Sequence, residues 1–362
     1  MKERFLVTGG AGFMGSHMID FLLESYPEST VICVDKLSYA SNYLMVNLSR
    51  AKNHPNFEFI HLDMSTDYQE LEDLVMGISH SGAPDEPVTT VLNFASETCV
   101  DLSFEDPCFY TRNNIMATQN LLECCRMLLR KHPLHSDDFA FIHISTDEVY
   151  GEQNHLDSAN EDSRLRPSNP YSATKAACDL IIHAYWQSFK MPIIILRPNN
   201  VYGPRQYPEK LVAVTLKALL HCKPNRELPK EYRIPIHGDG HYTRRYLHVS
   251  DLVRAVDMVR NKFRKAGHVK DWTGQIINIG TRDEIKNIDF VKEICDIYMK
   301  EKYGVEADLL KLVYFSKDRQ FNDARYATDL SKINQLGWKP NIKLDAGIRD
   351  LVLMTINEGT GI

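Results

Sequence analysis

Arg4-Phe5-Leu6-Val7-Thr8-Gly9-Gly10-Ala11-Gly12-Phe13-Met14-Gly15-Ser16-His17-Met18-Ile19-Asp20-Phe21-Leu22-Leu23 decides the fold of this 362-residue chain. Arg4 to Thr8 is a short apolar run that reads as a buried strand, and from Ser16 the apolar residues take helical spacing. Between them glycine stands at positions 9, 12 and 15. Glycine permits a tight turn and lets the backbone approach a pyrophosphate, while the helix N-terminus offers N–H groups and positive dipole. Strand, glycine turn and helix in this order form a dinucleotide-binding opening. The Gly-x-x-Gly-x-x-Gly spacing differs from the Gly-x-Gly-x-x-Gly of many dehydrogenases, and alone it is a weak pattern. Val31 to Val34, a second strand, strengthens it by ending in Asp35, about 20 residues further on, where an acid can accept both ribose hydroxyls. An acid at that point disfavours a 2′-phosphate, so NAD is expected over NADP. Asp35 alone would be an ordinary turn residue; after the glycines it is a cofactor residue.

Outward from this opening, strands and helices alternate. Phe57 to Leu62 is a third strand, with Asp63 and Met64 at its end, placed to border an adenine. Val91 to Phe94 is a fourth and leads into Ala95-Ser96-Glu97-Thr98-Cys99-Val100-Asp101. Phe109 to Lys131 is helical by pattern, Phe139 to Ile144 and Ile193 to Leu196 are strands, and a helix opens after Pro170. Such alternation predicts an α/β chain with a Rossmann-type doubly wound parallel sheet. Beyond residue 200 the alternation becomes irregular, which predicts a smaller mixed α/β domain for the substrate. The expected division is 1–198 and 199–362, with later segments returning to the first domain. Leu252 to Phe263, Asp289 to Lys302 and Ala346 to Ile356 read as helices and Gln275 to Ile279 as a strand. Ser79–Pro87 and His132–Asp138 read as polar loops.

The strand 139–144 runs into Ser145-Thr146-Asp147-Glu148-Val149-Tyr150-Gly151. In open α/β sheets ligands bind beyond the carboxyl ends of strands. Two adjacent acids there suit chemistry that needs both an acid and a base. An isolated Thr-Asp-Glu would more often be a solvated turn. Here Tyr171-Ser-Ala-Thr-Lys175 follows, and its Tyr and Lys share one helix face. An ammonium near a phenol favours phenolate, lowering a pKa that at about 10 is too high for a base at neutral pH.

Composition narrows the class. Hydrophobic residues at 43% and charged residues at 25% are ordinary for a soluble globular protein. A net charge of −6 gives no broad attraction for nucleic acid or an anionic membrane. The start, Met1-Lys2-Glu3-Arg4, runs into a strand without a signal peptide, and no apolar run approaches a membrane span. Eight cysteines are scattered without a Cys-x-x-Cys, as expected of free thiols in a reducing, cytoplasmic compartment and not of disulfides or a metal site.

Together these residues resemble the extended short-chain dehydrogenase/reductase superfamily, and within it the nucleoside-diphosphate-glucose 4,6-dehydratases. The resemblance covers nearly the whole chain: Thr8 to Phe13, Ser145 to Gly151, Tyr171 to Lys175, Tyr202 to Pro204, Pro208 to Leu211, Asn278 to Gly280 and Leu336 to Pro340 fall in family order. Thr146-Asp147-Glu148 discriminates, because epimerases of the superfamily usually lack the acid pair. UDP-xylose-forming decarboxylases and GDP-mannose dehydratases typically carry Thr-Ser-Glu.

The resemblance implies a mechanism. Tyr171 takes the proton of the sugar 4-hydroxyl while hydride leaves C4 for NAD, and Thr146 orients that oxygen. The 4-ketone acidifies the C5 hydrogen, Glu148 removes it, and Asp147 protonates the departing 6-hydroxyl. Return of hydride to C6 gives a 4-keto-6-deoxy sugar. Lys175 completes the catalytic set. The implied cofactor residues are Gly9, Gly12, Phe13, Met14, Gly15, Asp35, Lys36, Asp63, Met64, Phe94, Ala95, Ser96 and Ser145, with Tyr171 and Lys175. The implied substrate residues are Glu97, Thr146, Asn200, Lys210, Leu211, His237, Arg244, Asn287 and Arg319. A homodimer through the helices at 107–131 and 170–190 is also implied. Cys99, Leu102, His237 and Arg245-Tyr246 depart from the pattern usual in bacterial members, and Val100 to Phe104 with Gln206 to Lys210 is closer to eukaryotic ones. An epimerase, a UDP-glucuronate decarboxylase or a non-catalytic NAD-binding scaffold are the alternative readings. Asp147 argues against the first two, and the retained Tyr171 and Lys175 against the third.

Overall fold

The structure is a computed structural model that describes residues 2–41, 45–78, 86–133, 138–224, 226–265 and 272–359. Its strands, in chain order, are β1 (Arg4–Thr8), β2 (Thr30–Asp35), β3 (Phe57–His61), β4 (Thr90–Asn93), β5 (Ala140–Ile144), β6 (Ile193–Pro198), β7 (Asn200–Tyr202), β8 (Ile234–His237), β9 (Thr243–His248), β10 (Gln275–Ile279), β11 (Glu284–Lys286) and β12 (Val313–Ser316). The chain forms two compact units. The first comprises Met1–Val149, Asn169–Pro198 and Val253–Ile279; the second comprises Tyr150–Ser168, Asn199–Leu252 and Gly280–Ile362.

The first unit is built on a seven-stranded sheet in the order β10-β6-β5-β4-β1-β2-β3, and every pairing is parallel. Parallel strands buried on both faces need near-continuous apolar runs, which Phe5-Leu6-Val7 and Phe141-Ile142 supply. β1, β5 and β6 are buried at every residue. Leu6, Ile32, Val91, Phe141 and Ile193 pack with Leu71, Leu121, Leu122 and Leu128 of the covering helices in one core. Strand order reverses between β1 and β4, so the crevice beyond their carboxyl ends is the switch point where doubly wound sheets bind ligands.

A buried charge cluster explains why 253–279 returns to this unit. Arg260 is fully buried, and its Nη1 donates to both Glu3 carboxylate oxygens at 2.8 and 2.9 Å. Its Nη2 donates to Asp257 at 3.0 Å, and the guanidinium lies over the Phe5 and Tyr26 rings. A charge this buried holds its place only when paired.

In the second unit β7 pairs parallel with β9 and β9 antiparallel with β11, while β8 and β12 form a parallel pair. The irregular pattern after residue 200 thus resolves into two small sheets. Their core joins Tyr202, Leu216, Phe290, Ile294, Leu351 and Val352 from strand β7 and three helices, Leu211–Leu220, Asn287–Tyr303 and Leu344–Glu358. Residues 150–168 belong here because Arg325 donates to the Asn154 and Asp157 carbonyls at 2.6 and 2.7 Å and Ala159 N–H donates to Ala327. Arg245, a departure from the bacterial pattern, is held by Glu284 at 2.6 Å and the Thr328 carbonyl at 3.0 Å.

The expected helix over 109–131 is not regular. Pro107–Tyr110 and Ala117–Lys131 are α-helical, with a wider π-type turn over Thr111–Met116 between them. Other element ends move by three residues or fewer, as helix and strand ends commonly do. Of the two expected loops, residues 79–85 and 134–137 lie outside the described residues. All eight cysteines are free thiols, and only Cys108 is exposed. Among the described residues no helix is long and apolar enough to cross a membrane.

Candidate active site

The carboxyl ends of five parallel strands bring one group of side chains together in the first unit. Beyond β1, Gly9 has φ +65°, and a Cβ there would sit 2.7 Å from the Ala95 backbone. A Cβ on Gly15 would sit 2.4 Å from the Gly9 carbonyl oxygen. Only glycine leaves room for this turn to close against the segment after β4. Gly12 precedes the helix Phe13–Ser25, which Phe13, Met14 and Gly15 open without any side-chain cap. Its first N–H groups are therefore available to an anion.

Asp35 ends β2. Its carboxylate accepts Ala11 N–H at 3.0 Å, Leu37 N–H at 2.8 Å and Ser41 Oγ at 3.0 Å. Burial pushes its pKa up, and those three donors pull against the rise. The acid thus also braces the glycine turn. Asp63, just past β3, accepts Ser65 N–H at 2.9 Å, and the Met64 carbonyl accepts the Asn120 amide at 2.8 Å. After β4, Phe94 N–H donates to Thr8 and Ser96 Oγ to the Glu97 carbonyl.

Lys36 and Glu97, expected to serve the cofactor and the substrate separately, form an ion pair at 3.0 Å. Lys36 also donates to Asn113 and lies 5.1 Å from the Phe109 ring centre.

Past β5 come Ser145 and Thr146, and Asp147–Tyr150 turns as a short 3₁₀ helix. The Thr146 hydroxyl donates to Asp147 Oδ1 at 3.4 Å and accepts Glu148 N–H at 3.3 Å. Asp147 is buried at 2% exposure. Tyr171 and Lys175 lie on the helix Pro170–Phe189, whose start is fixed by an Asn169–Ser172 capping box with Pro170 in the first turn. Asn169 also reaches Glu148 Oε2 at 3.4 Å. The strand-end acids and the helix base are therefore neighbours.

Burial, then the carboxylates of Glu148 and Asp147, push the Tyr171 phenol well above its ordinary value, while a hydrogen bond with Thr146 lowers it. The effect expected of Lys175 does not dominate, because its ammonium donates to the Ile144 carbonyl at 2.7 Å and sits 3.4 Å from His143 Nε2. Burial also lowers the lysine's own pKa.

Asn114 was not legible as a site residue. The π-type turn carries it inward, where Oδ1 accepts Glu97 N–H at 2.8 Å and Nδ2 donates to the Glu97 carbonyl at 3.2 Å and Thr174 Oγ1 at 2.9 Å. Its signal was Asn113-Asn114, two poor helix formers inside an apolar helical pattern. π-type turns of this kind are frequent at functional sites.

The remaining expected residues lie in the second unit. Asn200 opens β7, and Lys210 precedes the helix that begins at Leu211. His237 ends β8 and contacts Ser316 Oγ at 3.4 Å. Arg244, on β9, donates to the Asp323 carbonyl at 2.9 Å and Asn322 Oδ1 at 3.2 Å and lies over the Tyr326 ring. Asn322 in turn reaches Asp318 at 3.0 Å, beside which Arg319 follows. Asn287, at a helix start, donates its N–H to the Tyr242 carbonyl. His237, Arg244 and Arg319 are thus brought to one loop, 316–326. Asn200 Nδ2 and Asn287 Oδ1 are buried without a hydrogen-bond partner.

The GDP-mannose 4,6-dehydratase family profile matches residues 6–351. An uncharacterised protein of Schizosaccharomyces pombe is 44% identical over 97% of each chain. An Arabidopsis thaliana trifunctional UDP-glucose 4,6-dehydratase/UDP-4-keto-6-deoxy-D-glucose 3,5-epimerase/UDP-4-keto-L-rhamnose-reductase is 38% identical; the match spans 96% of this chain and 46% of that protein. Among solved structures, a dTDP-glucose 4,6-dehydratase from Streptomyces venezuelae with NAD bound is 31% identical, covers 98% of each chain and superposes with a TM-score of 0.80.

Proposed function

The chain belongs to the GDP-mannose 4,6-dehydratase family, and on that premise we propose that it dehydrates a nucleoside-diphosphate-glucose to the 4-keto-6-deoxy sugar, with NAD as cofactor. The substrate is dTDP-glucose or UDP-glucose. Asp147 supports this reading most, standing buried beside Glu148 and Thr146 and close enough to raise the Tyr171 phenol.

The residues present fit NAD. Gly9 and Gly15 leave a cradle that a Cβ would fill, the helix at Phe13 has an uncapped start, and Asp35 ends β2. NAD bound there supplies a reversible acceptor for the hydride that leaves C4 and returns to C6. Tyr171 takes the 4-hydroxyl proton and Thr146 holds that oxygen in line. Lys175 favours the phenolate that this demands. Glu148 removes the C5 proton once the ketone has made it acidic, and Asp147 donates a proton to the 6-hydroxyl as it departs. The two acids act in opposite protonation states, and repulsion between neighbouring carboxylates promotes such a split.

Glu97, Asn200, Lys210, Leu211, His237, Arg244, Asn287 and Arg319 hold the sugar and the nucleotide diphosphate. Arginine and lysine suit a diphosphate by charge and donor geometry. The unpartnered Asn200 Nδ2 and Asn287 Oδ1 are the kind of buried polar atoms that a ligand satisfies. We further propose that the protein works in the cytoplasm as a homodimer, with Met116, Leu180 and Phe189 as exposed apolar residues of the paired helices.

One experiment tests the activity. The protein is incubated with NAD and, in separate reactions, dTDP-glucose, UDP-glucose, UDP-galactose and UDP-glucuronate, and the products are weighed by mass spectrometry. Loss of one water from a glucose nucleotide is expected. Loss of carbon dioxide from UDP-glucuronate, or interconversion of UDP-glucose and UDP-galactose at unchanged mass, would replace dehydration with decarboxylation or epimerisation.

A further inference from the structure

A chain of buried polar side chains runs behind the candidate site, from the strand before the glycine turn to the lysine of the catalytic helix. Thr8 Oγ1 donates to Asn93 Oδ1 at 2.6 Å, and Asn93 Nδ2 lies 3.0 Å from His143 Nδ1. His143 Nε2 lies 3.4 Å from Lys175 Nζ and 3.9 Å from Asp179 Oδ1. Asp179 Oδ2 accepts Arg197 Nε at 2.9 Å. Thr8, Asn93 and His143 are 0% exposed, and Lys175, Asp179 and Arg197 are 2% exposed. An apolar core would be cheaper to build here, because each buried polar group must find a partner.

We propose that His143, oriented by Asn93 and Thr8, is a positioning residue for Lys175. The inference rests on the reading of Lys175 as part of the catalytic set. The hydrogen bonds define how the imidazole is presented. Thr8 occupies the Asn93 carbonyl oxygen, so Asn93 turns its amide N–H to Nδ1, which must accept. The imidazole proton then sits on Nε2, the nitrogen that faces Lys175. Burial, followed by the charges of Lys175 and Arg197, holds the ring neutral by pushing its pKa well below the usual range. A ring N–H facing Nζ offers the ammonium no acceptor on that side and steers its hydrogens to the Ile144 carbonyl. The lysine is thereby fixed in place from behind.

The other groups acting on Lys175 come from its own helix and β6. Burial disfavours the ammonium, the Asp179 carboxylate favours it, and Arg197 is offset by its pairing with Asp179. Tyr171 stands one helical turn away, facing Asp147 and Glu148. In this tautomer His143 presents a neutral ring N–H to Nζ at 3.4 Å.

The direct test reads Lys175 itself. In NAD-loaded protein carrying ¹³Cε-lysine, the Lys175 resonance is assigned by its loss in Lys175→Met, then titrated in wild type, His143→Leu, His143→Gln and Thr8→Val. Each substitution removes or frees the Nε2 donor, so the midpoint is expected to rise by about half a pH unit or more. Thr8→Val keeps volume and lies farthest from the lysine, so it serves if the His143 variants fold poorly. In the same proteins kcat is expected to fall at least about tenfold because the ammonium is no longer held in place one helical turn from Tyr171, with the KM for the nucleotide sugar unchanged because the sugar is not touched. A Lys175 midpoint that stays at the wild-type value in Thr8→Val and in a folded His143 variant overturns the proposal. Normal titration shifts with no dehydration in the wild type would leave the positioning intact and overturn the activity assignment instead.

Discussion

Replacing Asp147 with asparagine separates the two halves of the proposed reaction. The amide keeps the size of the carboxyl and an oxygen for the Thr146 hydroxyl, which lies 3.4 Å from Asp147 Oδ1. It cannot donate the proton that the departing 6-hydroxyl needs. General acids typically contribute 10²- to 10⁴-fold. At 2% exposure Asp147 is poorly reached by a water that could substitute for it. Elimination should therefore slow by about 10³-fold, about 4 kcal/mol of barrier. Oxidation at C4 relies on Tyr171 and Thr146 and should persist. In a single turnover with excess enzyme, the near-ultraviolet band of reduced nicotinamide should build up and decay slowly. In the wild type it should stay small. Formation of the 4-keto-6-deoxy product at the wild-type rate, or loss of the band in the variant, would refute the assignment of Asp147 as the acid.

Tyr171→Phe should abolish oxidation, with no nicotinamide band and a loss of at least about 10³-fold in kcat, while calorimetry still shows NAD binding. Gly15→Ala places a Cβ 2.4 Å from the Gly9 carbonyl oxygen. Overpacking of about 1–3 kcal/mol at that turn should weaken NAD about 5- to 150-fold by calorimetry. Stability should fall in mild acid because His143 is held neutral well below its ordinary pKa. The unfolded chain binds that proton near pH 6.5 and the folded chain does not, so the contribution is complete above about pH 6.5. It declines by up to about 1.4 kcal/mol per pH unit below that value. Denaturant melts from pH 7 to pH 5 should show a shallower decline in His143→Gln.

Much of the first unit could be read from the chain because its information is local. Apolar runs such as Phe5-Leu6-Val7 and Ile193-Ile194-Ile195 are what strands buried on two faces require. Gly9 and Gly15 sit where backbone must pass backbone, and Asn169-Pro170 starts a helix by capping chemistry that needs no distant partner. The order of Asp35, Thr146-Asp147-Glu148 and Tyr171 along the chain was enough to place each at a strand end or helix start. Only the tertiary structure decided which of these side chains face one another. Lys36 spends its charge on Glu97, a pairing across 61 residues that no spacing announces. Asn114 enters the site because a π-type turn rotates it inward, and such a turn depends on partners 17 and 60 residues away. Lys175 follows the same logic: its spacing from Tyr171 was plain, yet its ammonium is claimed by the Ile144 carbonyl and faced by His143. The periodicity of a chain reports which face is buried. The partner of a buried polar group is settled by whichever distant residue packing brings within hydrogen-bond reach.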